Sequence, residues 1–324
     1  MKQSLGVESE RGGRGGGGGG CCNSAPHFKV AASLVLSPTS KTLAVPSMNA
    51  IFFKGDRVQG TGNPAIDRLS ESMNIAEILV SKLGDSVNAW VVEASTFHGP
   101  FAVFKEFVPT VNSRGEPKHY DPDGFPASSS IVRIISKSID QVRSTVSVDK
   151  NGSPIPEMRT PKTALFGFSK GGTVINQIVA ELANKNVIDA VTVTADSQTV
   201  QTRNSIFPAS KDSFLHSISE FHYVDVGLNC RGAYLTDRAT IDQVARDLMI
   251  CNSSLRFVLH GTPRQWCDLN RPWIREEKDS LFRLLRDSGE KYGGRLQVSE
   301  RFYFADAPPT LQMHFEVIDS MDVG

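Results

Sequence analysis

The chain lacks most of the features that assign a class quickly. No apolar run approaches the roughly 18 residues of a membrane-spanning helix, so no integral membrane segment is expected. Charge of one sign is missing too. Lys+Arg and Asp+Glu number 35 each in 324 residues. That balance gives no reason to expect nucleic acid or an anionic membrane as partner. The five cysteines, at 21, 22, 230, 251 and 267, have neither metal-ligand spacing nor a disulfide framework. Such a set suits a reducing compartment, or at least no reliance on disulfides. There are no internal repeats, no phosphate-loop spacing around Gly171-Gly172-Thr173, and no cofactor motif. Neither a metal nor a cofactor is therefore expected.

The N-terminus has one residue type in excess. Arg11-Gly12-Gly13-Arg14 runs into Gly15 to Gly20. Glycine loses the most entropy on ordering, so this tract cannot build a core. Residues 1–28 are expected to be disordered, and 29–324 to form one domain. No apolar signal-peptide region precedes Ala25, and Glu8 and Glu10 fit a mitochondrial presequence badly. A poor transit peptide and a plain linker both remain open.

What is present is a strand, a tight turn and a helix in that order. Ala164-Leu165-Phe166 is a short apolar run, Gly167-Phe168-Ser169-Lys170-Gly171 follows, and a helical pattern begins at Thr173. Val174, Ile175, Ile178, Val179 and Leu182 share one helical face. G-x-S-x-G in that context is a nucleophile elbow. The turn lifts the serine hydroxyl clear of the sheet, and the helix N-terminus faces the place where an oxyanion would form. The five-residue pattern alone is common. Its alternative meaning is a glycine-rich turn whose serine only caps the helix.

The rest of the chain alternates in the same way. Strand patterns lie at 29–36, 49–53, 88–94, 220–229, 255–260 and 295–304, with a further apolar stretch at 187–195. Helical patterns lie at 66–83, 131–142, 240–249 and 273–285. Ser95 to Pro109 is aromatic-rich and irregular, and 112–127 reads as loop. This order predicts an α/β fold: a mostly parallel sheet with helices on both faces, of the α/β-hydrolase type.

An activated serine needs a base, and the base needs an acid to orient it. In α/β-hydrolases the chain order is serine, acid, histidine. Four histidines follow Ser169: His216, His222, His260 and His314. His314 is the preferred base, because the segment after the last strand can bring it over the carboxyl ends of the strands. Asp268 is the preferred acid, Asp225 its rival and Asp237 a distant third. The oxyanion donors expected are the N–H of Lys170 and the Gly55-Asp56 turn, with His98-Gly99 as a competing loop. The Lys170 side chain is expected in solvent. Phe97 to Phe107 either walls an apolar acyl pocket or packs in the core.

Three segments carry a family resemblance: Phe52-Phe53-Lys54-Gly55-Asp56, Gly167-Phe168-Ser169-Lys170-Gly171 and Leu311-Gln312-Met313-His314-Phe315. Together they resemble a eukaryotic α/β-hydrolase-like family whose human member is a mitochondria-associated protein encoded by an open reading frame on chromosome 2. The resemblance runs from about residue 45 to the C-terminus. It implies a serine-hydrolase-like fold, candidate catalytic positions at Ser169 and His314, and a mitochondrial location, with the cytoplasm as the alternative. It supplies no substrate. Two functions are compatible with the residues. One is a serine hydrolase acting on a small-molecule ester, thioester or lipid-like acyl group. The other is an inactive hydrolase-fold protein that binds a protein or metabolite.

Overall fold

The computed structural model of the chain describes residues 2–8 (backbone only), 28–145, 161–185 and 206–324. The apolar stretch at 187–195 and most of the polar segment before the elbow lie outside the described residues.

Ten strands are described. They are β1 (Lys2–Glu8), β2 (Lys29–Val35), β3 (Met48–Phe53), β4 (Val87–Val92), β5 (Thr96–His98), β6 (Phe101–Val103), β7 (Lys162–Phe168), β8 (Ile218–Val224), β9 (Leu255–Gly261) and β10 (Leu296–Phe302). Eight form one sheet in the order β1-β2-β4-β3-β7-β8-β9-β10. From β4 to β10 all neighbours are parallel, while β1 and β2 are antiparallel additions at one edge. β5 and β6 pair separately as a hairpin. The helices are α1 (Pro64–Ser70), α2 (Ser72–Leu83), α3 (Pro126–Thr145), α4 (Gly172–Ala183), α5 (Lys211–Ser217), α6 (Arg238–Ile250), α7 (Pro263–Trp266), α8 (Trp273–Lys291) and α9 (Leu311–Ser320).

Side-chain alternation along the strands builds two cores. On β3, Ile51 and Phe53 face one side, and Ala50 and Phe52 the other. The first face is covered by α3, α4, α6 and α8, through residues such as Ile135, Ile178, Ile241 and Leu281. The second is covered by α1, α2 and α9, through Leu69, Leu79 and Ile318. Both faces of the central strands are therefore apolar, and those strands read as continuous apolar runs. This is the expected mostly parallel sheet with helices on both faces.

Three expectations need correction. Disorder over 1–28 does not extend to Lys2–Glu8, which pairs antiparallel with Lys29–Val35 from Lys2↔Val35 to Glu8↔Lys29. Its backbone groups gain partners on an otherwise open edge, an opportunity that composition does not reveal. The helix over 66–83 is two helices, broken at Glu71, whose ψ of 122° is extended. The irregular stretch 95–109 contains the β5–β6 hairpin.

Candidate active site

The site is assembled by strand register. Phe53 pairs with Gly167, and Phe168 pairs with Val224. Counting on from those pairs, Gly55, Ser169 and Asp225 leave β3, β7 and β8 at one level, on the carboxyl edge of three adjacent strands. That edge is where ligands bind in open α/β sheets.

Ser169 has φ of 52°, in the left-handed region. A serine pays on the order of 1–2 kcal/mol there, so the surroundings must impose the conformation. Crowding around the turn does so. A Cβ on Gly167 would lie 2.6 Å from Ile175 Cγ1, and one on Gly171 would lie 2.2 Å from the Phe53 carbonyl oxygen. The elbow strand, the following helix and β3 therefore meet at glycine backbones. The same holds for Gly55, where a Cβ would sit 2.6 Å from Ser169 Cβ and 3.1 Å from its Oγ. The Gly55 backbone is thus pressed against the serine.

His314 lies in the first turns of α9, which Thr310 caps by accepting the Met313 N–H at 3.1 Å. Its imidazole stacks on Phe168, with ring centroids 4.6 Å apart. His314 Nδ1 lies 2.6 Å from Asp225 Oδ2. Asp225 is fully buried, and Thr262 holds it from the other side. The Thr262 N–H donates to Oδ1 at 2.7 Å and its hydroxyl donates to Oδ2 at 2.9 Å. Both Asp225 oxygens already accept from Thr262, so in the contact with Oδ2 the Nδ1–H of His314 is the donor, which leaves Nε2 as the nitrogen able to take a proton. Ser169 Oγ and His314 Nε2 are not hydrogen-bonded to each other here. Such contacts are commonly long before substrate binds and tighten in the complex.

Asp268, the preferred acid from sequence, is not beside His314. Its carboxylate accepts from Arg271 Nε at 2.8 Å and from the Asn270 N–H at 2.9 Å, with Arg264 3.8 Å away. Burial pushes its pKa up, but these partners outweigh burial and hold it below the usual carboxylate range. It lies seven residues past the end of β9, too far along to reach the elbow level. Asp237 caps α6 by accepting the Thr240 N–H at 2.8 Å. The structure therefore brings the rival, Asp225, to His314.

The Lys170 side chain is also not where sequence put it. It is 4% exposed, with Nζ 3.0 Å from Asp56 Oδ1 and 2.7 Å from the Arg114 carbonyl oxygen that accepts from it. Asp56 Oδ1 in turn accepts the Ala102 N–H at 2.7 Å. The lysine thus ties the elbow to the Gly55-Asp56 turn and to the β5–β6 hairpin. His98 and Gly99 are exposed at that hairpin, and a Cβ added to Gly99 would meet nothing within 4 Å. Phe104 and Phe107 are buried in the core against Phe53, which leaves Phe97 as the aromatic ring of that stretch on a cavity.

Sequence reasoning missed Thr262, the Phe168 stack and the buried run of Lys170. Thr262 carried a signal: it follows β9 directly, next to the strand that ends just before Asp225. Among the described residues, no cluster of His, Cys, Asp and Glu could hold a metal ion. No described helix is long and apolar enough to cross a membrane.

Sheet order and helices on both faces, with a tight strand-to-helix turn at Ser169, define a protein of the α/β-hydrolase fold. The C2orf69 family model matches residues 132–291. Mitochondrial protein C2orf69 homolog of Danio rerio is 26% identical over 234 residues, which cover 71% of this chain and 58% of that relative. Mitochondrial protein C2orf69 of Homo sapiens is 24% identical over 287 residues, covering 75% of this chain and 65% of the human one. The chain is thus similar to the C2orf69 family over residues 132–291, and spans less than two thirds of the length of these two relatives. Among solved structures, it is similar to a carboxylesterase from Lactobacillus plantarum described as putative (10% identity, 94% and 88% of the two chains, TM-score 0.42). It is also similar to acyl-protein thioesterase 2 of Zea mays (11% identity, 90% and 96% of the two chains, TM-score 0.39). The fold assignment rests on this chain's own topology rather than on those two likenesses.

Proposed function

We propose that this protein is a serine hydrolase acting on an ester or thioester, with Ser169 as nucleophile, His314 as base and Asp225 as the acid that orients it. The observation carrying this reading is the 2.6 Å contact between His314 and Asp225 above a serine held at φ 52°. His314 Nε2 takes the hydroxyl proton as Oγ attacks the carbonyl carbon. The oxyanion accepts hydrogen bonds from the N–H of Lys170 and from the Gly55-Asp56 turn. His314 then returns the proton to the leaving oxygen or sulfur. Water, activated by the same imidazole, releases the acyl group from Ser169. The relatives are named mitochondrial proteins, and we place this reaction in the same compartment.

The second reading, a binding protein of the same fold, draws on the absent hydrogen bond between Ser169 and His314. Labelling with a fluorophosphonate probe separates the two. Wild-type protein is expected to label, and Ser169→Ala and His314→Ala are expected to lose labelling while remaining folded. Folded wild-type protein that does not label would overturn the hydrolase reading in favour of binding.

A further inference from the structure

A cavity of about 480 Å³ opens beside the elbow, with Gly55, Phe168 and Phe315 on its wall. These three flank the oxyanion turn, the serine and the histidine, so a bound substrate would extend into it. Its floor is charged. Lys54 Nζ donates to Glu93 Oε1 at 3.0 Å, to Ser72 Oγ at 3.0 Å and to the Ser70 carbonyl at 2.6 Å. The Ser72 hydroxyl also donates to Glu93 Oε1, at 2.7 Å. All three ammonium hydrogens are thereby used.

Arg57 is different. Its guanidinium lies over the Phe97 ring, 3.5 Å from the centroid, and its NH2 is 3.7 Å from Glu93 Oε2. The stack and the ion pair fix its plane, but 3.7 Å is beyond a hydrogen bond. Among the described residues the guanidinium makes no hydrogen bond, and the side chain is 44% exposed. A flat guanidinium held in place with its donors open matches a planar, two-oxygen anion.

The cavity lining is mixed in charge, with Lys29, Lys54 and Arg57 facing Asp56, Asp67, Glu71 and Glu93. Lys54, Arg57 and Glu93 leave the floor with one net positive charge. Burial pushes Glu93 up, but Lys54, Ser72 and Arg57 outweigh burial and hold it below its ordinary range, so it stays ionised. Asp56, also on the wall, is taken by Lys170. Asp67 and Glu71, also on the lining, are exposed; Asp67 lies in the first turn of α1, and Glu71 lies between the end of α1 and the start of α2. Lys29 lies on the rim as well.

We infer that Arg57 anchors an anion subsite in this cavity, and that the ester or thioester cleaved at Ser169 carries a carboxylate on its acyl chain. This inference rests on the hydrolase reading. It replaces a long apolar acyl group with a short, acid-terminated one, which suits a cavity at the small end of ligand pockets.

The test compares two nitrophenyl esters of equal length: p-nitrophenyl hemiadipate and its methyl-capped, uncharged analogue. Ser169→Ala supplies the background. Wild type is expected to favour the acid by at least about tenfold in kcat/KM, as for a hydrogen-bonded charge pair. Arg57→Met is expected to erase that preference, read as the ratio of kcat/KM for the two esters within the same variant. Arg57→Lys, which keeps charge but loses the fork, is expected to retain only part of it. Equal use of the two esters, a preference for an amine-terminated ester, or an unchanged ratio in Arg57→Met would overturn the subsite. If wild type cleaves neither ester and does not label with fluorophosphonate, the hydrolase reading fails instead. Calorimetry with adipate then decides the subsite alone. Binding lost in Arg57→Met sustains it, and no binding by folded wild type overturns it.

Discussion

Ser169 and Asp225 both hold left-handed backbone, at φ 52° and 44°, one residue past the ends of neighbouring strands. Aspartate tolerates that region better than serine, so the strain concentrates at Ser169. The two candidate acids make opposite predictions. Asp225→Asn should cut the rate of fluorophosphonate labelling by about 10³-fold or more, because the imidazole loses its orienting carboxylate. Asp268→Asn should leave that rate unchanged, since it loses only partners at Arg271 and Arg264. Second-order labelling rates on both variants, with circular dichroism for folding, check this. Lys170 makes a different prediction. Lys170→Met leaves Asp56 without its buried partner and should cost about 2–3 kcal/mol of stability. The Gly55-Asp56 turn should loosen with it. A lower urea midpoint together with slower labelling is the expected result, whereas a fully stable Lys170→Met would mean the pair is not a tether.

Among the elements, β7, the turn and α4 are the most legible part of the chain. Local pattern, glycine placement and helix periodicity all agree there. The edge strand is the least legible. Lys2–Glu8 sits before a glycine tract that composition marks as unstructured, yet it supplies partners along the whole of β2. Removing residues 1–27 should uncover the β2 edge, a row of unpaired N–H and C=O groups. The truncated protein is expected to self-associate more than the full chain by light scattering at matched concentration. An unchanged, monodisperse profile would show that this edge is protected by something other than β1. The split of the 66–83 pattern into α1 and α2 has a local cause. Apolar residues keep helical spacing across Glu71, but its extended backbone restarts the helix.

Across the molecule, a buried polar chain crosses the sheet beside the site. His222 Nδ1 lies 3.0 Å from His260 Nε2, and His260 Nδ1 lies 3.0 Å from the Tyr303 hydroxyl. His222 Nε2 lies 3.1 Å from Glu220, which also accepts from Arg256 at 2.7 Å. Burial lowers the pKa of both histidines, His260 most strongly, with the neighbouring positive groups adding to the effect there. For Glu220, burial pushes up, but His222 and Arg256 outweigh burial and bring the carboxyl down to about 2. The hydrogen bond from His222 and the Arg256 guanidinium together hold Glu220 ionised. The unfolded chain binds protons at these histidines near pH 6.5, and the folded chain does not. Their contribution is therefore present above that pH and lost as pH falls below it. Between pH 7 and 5.5 the two should cost about 2 kcal/mol of stability. The Glu220 contribution is lost lower, from about pH 4.5 toward 2. Urea unfolding at both upper pH values checks the sign, and His260→Gln should flatten the slope. A stability that rises on acidification to 5.5 would refute it.

The fold class, the serine, the histidine and the glycine turn on β3 follow from sequence, because each is written in residues close together in the chain. Strand period, turn glycines and helix faces are local properties. The partner of His314 was not decided this way. Asp225 and Asp268 both follow strands in the right order, and chain order cannot separate them. Register does, by setting Asp225 level with Ser169 on the next strand and beside Thr262. The buried Lys170 tether, the Arg57 stack on Phe97 and the β1 edge are decided by tertiary structure for the same reason. Each joins segments brought together only when the sheet and its loops pack, and no local pattern encodes that distance.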